Sequence, residues 1–119
     1  MPHKSATDLI NEAKQRIREV SPREAAEMRR QPDVIFLDVR EPYEWNLGHV
    51  PGAIHIPRGT LESNVEPRVP REATVVVYCA AGNRSALAAD TMQQMGYSNV
   101  VSMSDGWRGW VHFGGEVEG

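Results

Sequence analysis

The sequence predicts an α/β domain with a mainly parallel central sheet of about five strands flanked by helices, and three observations support this. Short apolar runs alternate with helical patterns along the whole chain. Two runs, Val34-Ile35-Phe36-Leu37 and Thr74-Val75-Val76-Val77-Tyr78, are continuous rather than alternating, as in strands covered on both faces. The helical patterns between them carry recognisable start signals, so the strands are joined by crossovers, which are right-handed in such sheets.

The elements follow in order. Ser5 to about Gln15 reads as an amphipathic helix, with Leu9, Ile10, Ala13 and Ile17 at helical spacing and Ser5 with Asp8 as a capping box. Ile17 to Val20 suits a short strand. Ser21-Pro22-Arg23-Glu24 combines a capping serine, a proline at the first helical position and a glutamate that reaches back. That helix should run to about Arg30, before Pro32-Asp33. After the Val34–Leu37 strand, Glu41 to Leu47 suits a short helix opened by Pro42. Residues 48–52 read as loop, 53–56 as a brief strand, Thr60 to Val65 as a helical turn, and 66–72 as a connector with two prolines. The Thr74–Tyr78 strand ends at Cys79. Ser85 to Met95 is helical, closed by Gly96. Val100 to Met103 is the last strand, and Trp107 to about His112 the last helix. Residues 1–16 are expected to form a helical extension, 17–113 the domain itself, and 114–119 a Gly/Glu-rich flexible tail.

Composition narrows the function. The chain has 119 residues, 40% hydrophobic and 24% charged, with a formal charge of −3. That suits one soluble domain and argues against a nucleic-acid or membrane partner, since no basic run or long apolar span is present. The charged N-terminus lacks a signal-peptide core, so a cytoplasmic location is expected. One cysteine excludes an internal disulfide and a Cys-rich metal site. His3, His55 and His112 have no spaced partner that would make a metal centre.

That cysteine stands where chemistry is expected. Ligands bind beyond the carboxyl ends of strands in parallel sheets, and Cys79 and the Asp38/Arg40 pair fall at such ends. A thiolate is stabilised by nearby cations and by unpaired backbone N–H groups. The loop Cys79-Ala80-Ala81-Gly82-Asn83-Arg84-Ser85 leads into a helix, so its amides can turn inward over an anion. Gly82 permits unusual backbone angles, and Asn83 tolerates them. Small Ala80 and Ala81 keep the loop tight. Arg84 and Arg40 are candidate cations, and Ser85 is a candidate cap for the following helix. Asp38 and Arg40 can equally form a structural ion pair with each other or with Glu44.

The loop Cys-x-x-Gly-x-Arg-Ser after an apolar strand resembles the active-site loop of rhodanese-domain sulfurtransferases. Residues 38–45 (Asp-Val-Arg-Glu-Pro-Tyr-Glu-Trp) and 48–57 (Gly-His-Val-Pro-Gly-Ala-Ile-His-Ile-Pro) resemble two further hallmarks, and Gly96-Tyr97 with Asp105 to Trp110 resembles the closing pattern. The similarity runs from about Val20 to Trp110. It implies a rhodanese-like fold and a two-step covalent mechanism. Cys79 would take the outer sulfur of thiosulfate or a related small anionic donor as a persulfide, then pass it to cyanide, an external thiol or a protein acceptor. The amides of Ala80 through Ser85 would hold that sulfur, and Arg84 would assist the donor. No cofactor or metal is implied. His49, in the Gly-His-Val-Pro-Gly segment, would be structural. With no second thiol in the chain, the acceptor must be external.

Two other functions compete. Phosphatases and arsenate reductases, some of them rhodanese-folded, also use a Cys…Arg loop, but that loop is one residue longer and holds a tetrahedral oxyanion. Here only Ala80 to Asn83 intervene. A non-catalytic interaction module would be expected to have lost the cysteine or degraded the loop.

Overall fold

A computed structural model describes residues 2–119 of the chain. Its strands are β1 (Arg18–Val20), β2 (Val34–Asp38), β3 (Ile54–His55), β4 (Thr74–Tyr78) and β5 (Val100–Met103). They form one sheet in the order β1-β5-β4-β2-β3, and every pair is parallel. The helices are α1 (Ala6–Arg16), α2 (Pro22–Arg29), α3 (Pro42–Asn46), α4 (Leu61–Asn64), α5 (Asn83–Gln94) and α6 (Gly106–Phe113), with a 3₁₀ turn at Arg58–Thr60. This is the α/β architecture with a parallel five-stranded sheet flanked by helices that the sequence predicts.

The helix starts form as their sequences direct. Ser5 Oγ accepts from Asp8 N at 3.1 Å while Ser5 N donates to the Asp8 carboxylate at 2.9 Å. Ser21 and Glu24 repeat the exchange at the same distances. Each box satisfies two N–H groups that a helix start otherwise leaves unpaired.

Strand β4 lies at the centre and sends alternate side chains to opposite faces. Val75 and Val77 join Leu37, Ala88, Ala89 and Met92 in one core, under α5. Val76 and Tyr78 join Val20, Phe36, Met103 and Trp110 in the other, under α6. Two covered faces explain the continuous apolar run. The same alternation carries Cys79 to the α5 side. Topology therefore aims the sulfur at the start of α5 before any loop geometry is considered.

Helix α1 packs on α5 of the same chain. Arg16 makes a two-pronged contact with Asp90 at 2.8 and 2.7 Å, and Gln93 Nε2 donates to Arg16 O at 2.9 Å. The Arg16 guanidinium holds the Asp90 carboxyl below the ordinary carboxylate range.

Two details differ from the sequence reading. Helix α5 begins at Asn83, two residues earlier than expected, because Gly82 itself takes the left-handed angle, φ 100°, that turns the loop into the helix. Residues 114–119, expected as a flexible tail, make specific contacts with the body. Trp110 is buried and its Nε1 needs an acceptor, which it finds in Glu116 O at 2.8 Å. Beyond it, His49 and Glu118 exchange two backbone hydrogen bonds of 2.9 Å.

Candidate active site

Cys79 follows directly on β4 and is 1% exposed. Gly82 N donates to its Sγ at 3.2 Å and Ser85 N at 3.3 Å. These two amides converge because the positive φ of Gly82 folds the loop back over the sulfur. Ser85 Oγ stands 3.4 Å from Sγ, and Ser102 Oγ, on β5, donates to Ser85 Oγ at 2.9 Å. Both the Cys79 thiol and Ser102 donate to Ser85 Oγ, and once Cys79 has lost its proton the Ser85 hydroxyl can turn its own proton toward the sulfur. Two amides, one hydroxyl and the start of a twelve-residue helix thus meet at a buried sulfur. Such a nest presents donors suited to a terminal sulfur anion.

The sequence suggests Ser85 as a helix cap. It is instead the third residue of α5, and its side chain serves the sulfur rather than the helix end; the N-cap is Gly82, which has no side chain. Asn83, the other candidate for an unusual backbone angle, has ordinary helical geometry, and Gly82 carries that angle. Ser102 is a site residue that sequence reasoning misses. A serine inside an otherwise apolar strand of four fully buried residues is the signal, because a buried hydroxyl needs a partner.

Helix α6 closes the other side of the loop. Trp107 N donates to Cys79 O at 2.7 Å and Arg108 N to Ala80 O at 3.1 Å. Ala81 and Asn83 are exposed at the loop's rim, while Ala80 is partly covered.

Arg84 lies at the rim but does not point its charge freely at the sulfur. It forms a two-pronged ion pair with Glu44 on α3, at 2.8 and 3.1 Å. Glu44 raises the Arg84 pKa above its ordinary value, and Arg84 holds the Glu44 carboxyl below its own. Because the Glu44 value is lowered on folding, its contribution to stability is complete above the ordinary glutamate range. It is lost as pH falls through the lowered folded value. Arg84 is more than a third exposed, so the pair is worth about 1 kcal/mol or less. Glu44→Gln is therefore expected to lower the urea midpoint slightly near neutral pH. That difference should vanish in acid. A gap that persists unchanged below the glutamate range would contradict the assignment.

Asp38 and Arg40 are both buried and bind each other. Arg40 Nε lies 3.0 Å from both Asp38 oxygens, Arg40 N donates to Asp38 Oδ1 at 2.9 Å, and the guanidinium also donates to Gly48 O at 2.7 Å. Burial works against the Arg40 charge, and Asp38 outweighs it, so the Arg40 pKa is raised. The guanidinium also faces Trp107, 4.7 Å from the ring centre. The pair therefore braces the 48–50 loop and the tryptophan whose amide holds Cys79 O. Burial first, then Asp38, pushes the Tyr78 hydroxyl far above the ordinary tyrosine range. It remains neutral and accepts from Val50 N at 3.1 Å. His49 stacks on Trp45 with ring centres 3.4 Å apart, and its contacts give it no role at the sulfur.

Comparison with known proteins bears on this geometry. A family model described as "Rhodanese-like domain" matches residues 21–113. The chain is 34% identical over 93 residues to the thiosulfate sulfurtransferase GlpE of Tolumonas auensis, covering 78% of this chain and 87% of that protein. It is 30% identical over 97 residues to the thiosulfate:glutathione sulfurtransferase of Saccharomyces cerevisiae, covering 71% of this chain and 70% of the other. A structure from Rhodopseudomonas palustris, described as a protein of unknown function and possible tyrosine phosphatase, superposes with a TM-score of 0.88 at 33% identity over 99% of each chain.

Proposed function

This chain belongs to the rhodanese-like domain family, and from that premise we propose that it is a sulfurtransferase whose Cys79 carries the transferred sulfur. The observation that carries the reading is the pair of amides, Gly82 N and Ser85 N, directed at a buried cysteine Sγ. The Cys79 thiolate attacks the outer sulfur of thiosulfate, the sulfur–sulfur bond of the donor breaks, and sulfite leaves with the electron pair. An external thiol or cyanide then attacks the outer sulfur of the persulfide and returns Cys79 to a thiolate. The relatives that act on thiosulfate support this choice of donor.

Within that scheme the loop amides bind the terminal sulfur anion and Ser85 adds its hydroxyl. Arg84 assists the donor only when it releases Glu44. Asp38 and Arg40 act by holding the wall of the site rather than by touching the donor. The protein would work in the cytoplasm; among the described residues no helix is long and apolar enough to cross a membrane.

A phosphatase reading is favoured by the likeness to the R. palustris structure, itself described as a possible tyrosine phosphatase. Two features argue against it here. Only four residues separate Cys79 from Arg84, and Arg84 is engaged by a carboxylate where an oxyanion would need it. Steady-state assays decide between the two. Thiosulfate:cyanide turnover is expected, with hydrolysis of p-nitrophenyl phosphate at the uncatalysed rate. The reverse pattern would overturn the proposal.

A further inference from the structure

A groove of about 500 Å³ lies beside the loop, lined by Ala81, Asp105, Arg108, Gly109 and His112. It holds one carboxylate and one guanidinium that the rest of the molecule leaves unused. Among the described residues, neither Asp105 nor Arg108 takes part in an ion pair. Asp105 stands at the N-cap of α6, where a carboxylate commonly caps the helix, yet it makes no such bond. It is also the one non-glycine among the described residues with a positive φ, 63°. An uncommon backbone angle that yields no cap leaves this carboxylate facing solvent and the groove.

Opposite free charges in a small groove complement a zwitterion. The groove is also close to the chemistry. Ala81 is two residues beyond Cys79, which spans at most about 7 Å of chain. Arg108 is anchored to Ala80 O by its own backbone. A small peptide thiol reaches across that distance.

We infer that this groove seats the acceptor, and that the acceptor is a low-molecular-weight thiol bearing both an ammonium and a carboxylate, received by Asp105 and Arg108. This deepens the proposed sulfur transfer and rests on it. The bound thiolate attacks the outer persulfide sulfur, the bond from Cys79 Sγ breaks, Cys79 leaves as thiolate, and the acceptor leaves as a persulfide carrying that sulfur.

The test compares glutathione, 3-mercaptopropionate, which lacks the ammonium, and cyanide as acceptors. Arg108→Gln is expected to lower the ratio of kcat/KM for glutathione to that for cyanide about tenfold, the scale of one charge-assisted hydrogen bond. Arg108→Lys should recover most of it. Asp105→Asn tolerates the positive φ and should penalise glutathione while sparing 3-mercaptopropionate. Equal losses with all three acceptors, or no loss, would overturn the assignment. Glutathione titrated into the Cys79→Ser protein should shift the amide resonances of Ala81, Asp105 and Arg108 in NMR spectra. Such shifts, if the unmutated protein moves no sulfur from thiosulfate to any acceptor, would sink the proposed function while sparing the groove. Their absence would sink the groove.

Discussion

Arg40→Ala is expected to cost about 3–5 kcal/mol of folding free energy, because it leaves a buried carboxylate without its partner. Asp38 is fully buried and Arg40 is 3% exposed, so solvent cannot replace either one. Removing the guanidinium also leaves Gly48 O without its donor and strips the face of Trp107. Asp38→Ala should be comparably severe, since it strands the guanidinium instead. Urea unfolding measures both. The double variant Asp38→Leu/Arg40→Met should be much milder than either single alanine, because burying two apolar groups avoids the uncompensated charge. Losses below about 1 kcal/mol in the single variants would show that water reaches the pair, contrary to its burial.

Gly106→Ala should damage stability and catalysis together. The glycine has φ 49°, and a Cβ there would press on Cys79 O and stand 2.8 Å from Ala80 C, both backbone atoms that cannot rotate aside. Relief requires α6 to withdraw from the loop, which breaks the bonds from Trp107 N to Cys79 O and from Arg108 N to Ala80 O. We expect a loss of about 2 kcal/mol or more. With the loop no longer held from behind, kcat/KM for thiosulfate should fall by at least about tenfold, since small misplacements of a reacting group cost that much. An active, stable Gly106→Ala protein would show that α6 does not brace the site.

Much of this is legible in the sequence because the relevant signals are local. Serine–acid boxes at residues 5–8 and 21–24 mark helix starts wherever they occur, and the β4 run can be read from five consecutive residues. The position of Cys79 at a strand end follows from those elements. What stays hidden depends on distant parts of the chain. Glu44 and Arg84 are 40 residues apart, so nothing local tells whether Glu44 pairs with Arg40 or Arg84. Ser102 reaches Ser85 only because β5 lies beside β4. The tail docks through Arg29 to Glu116 and through the backbone pair of His49 and Glu118, contacts between residues far apart in the chain. Ser85 and Asn83 lie in the expected neighbourhood and perform different tasks, because the helix start moves by two residues and is capped at Gly82.

The central claim is that Cys79 accepts a sulfur atom. Intact-mass spectrometry after incubation with thiosulfate tests it most directly. The unmutated protein should gain the mass of one sulfur atom, Cys79→Ser should gain none, and cyanide should remove the addition from the unmutated protein. An unmutated, folded protein that remains at its original mass would contradict the account.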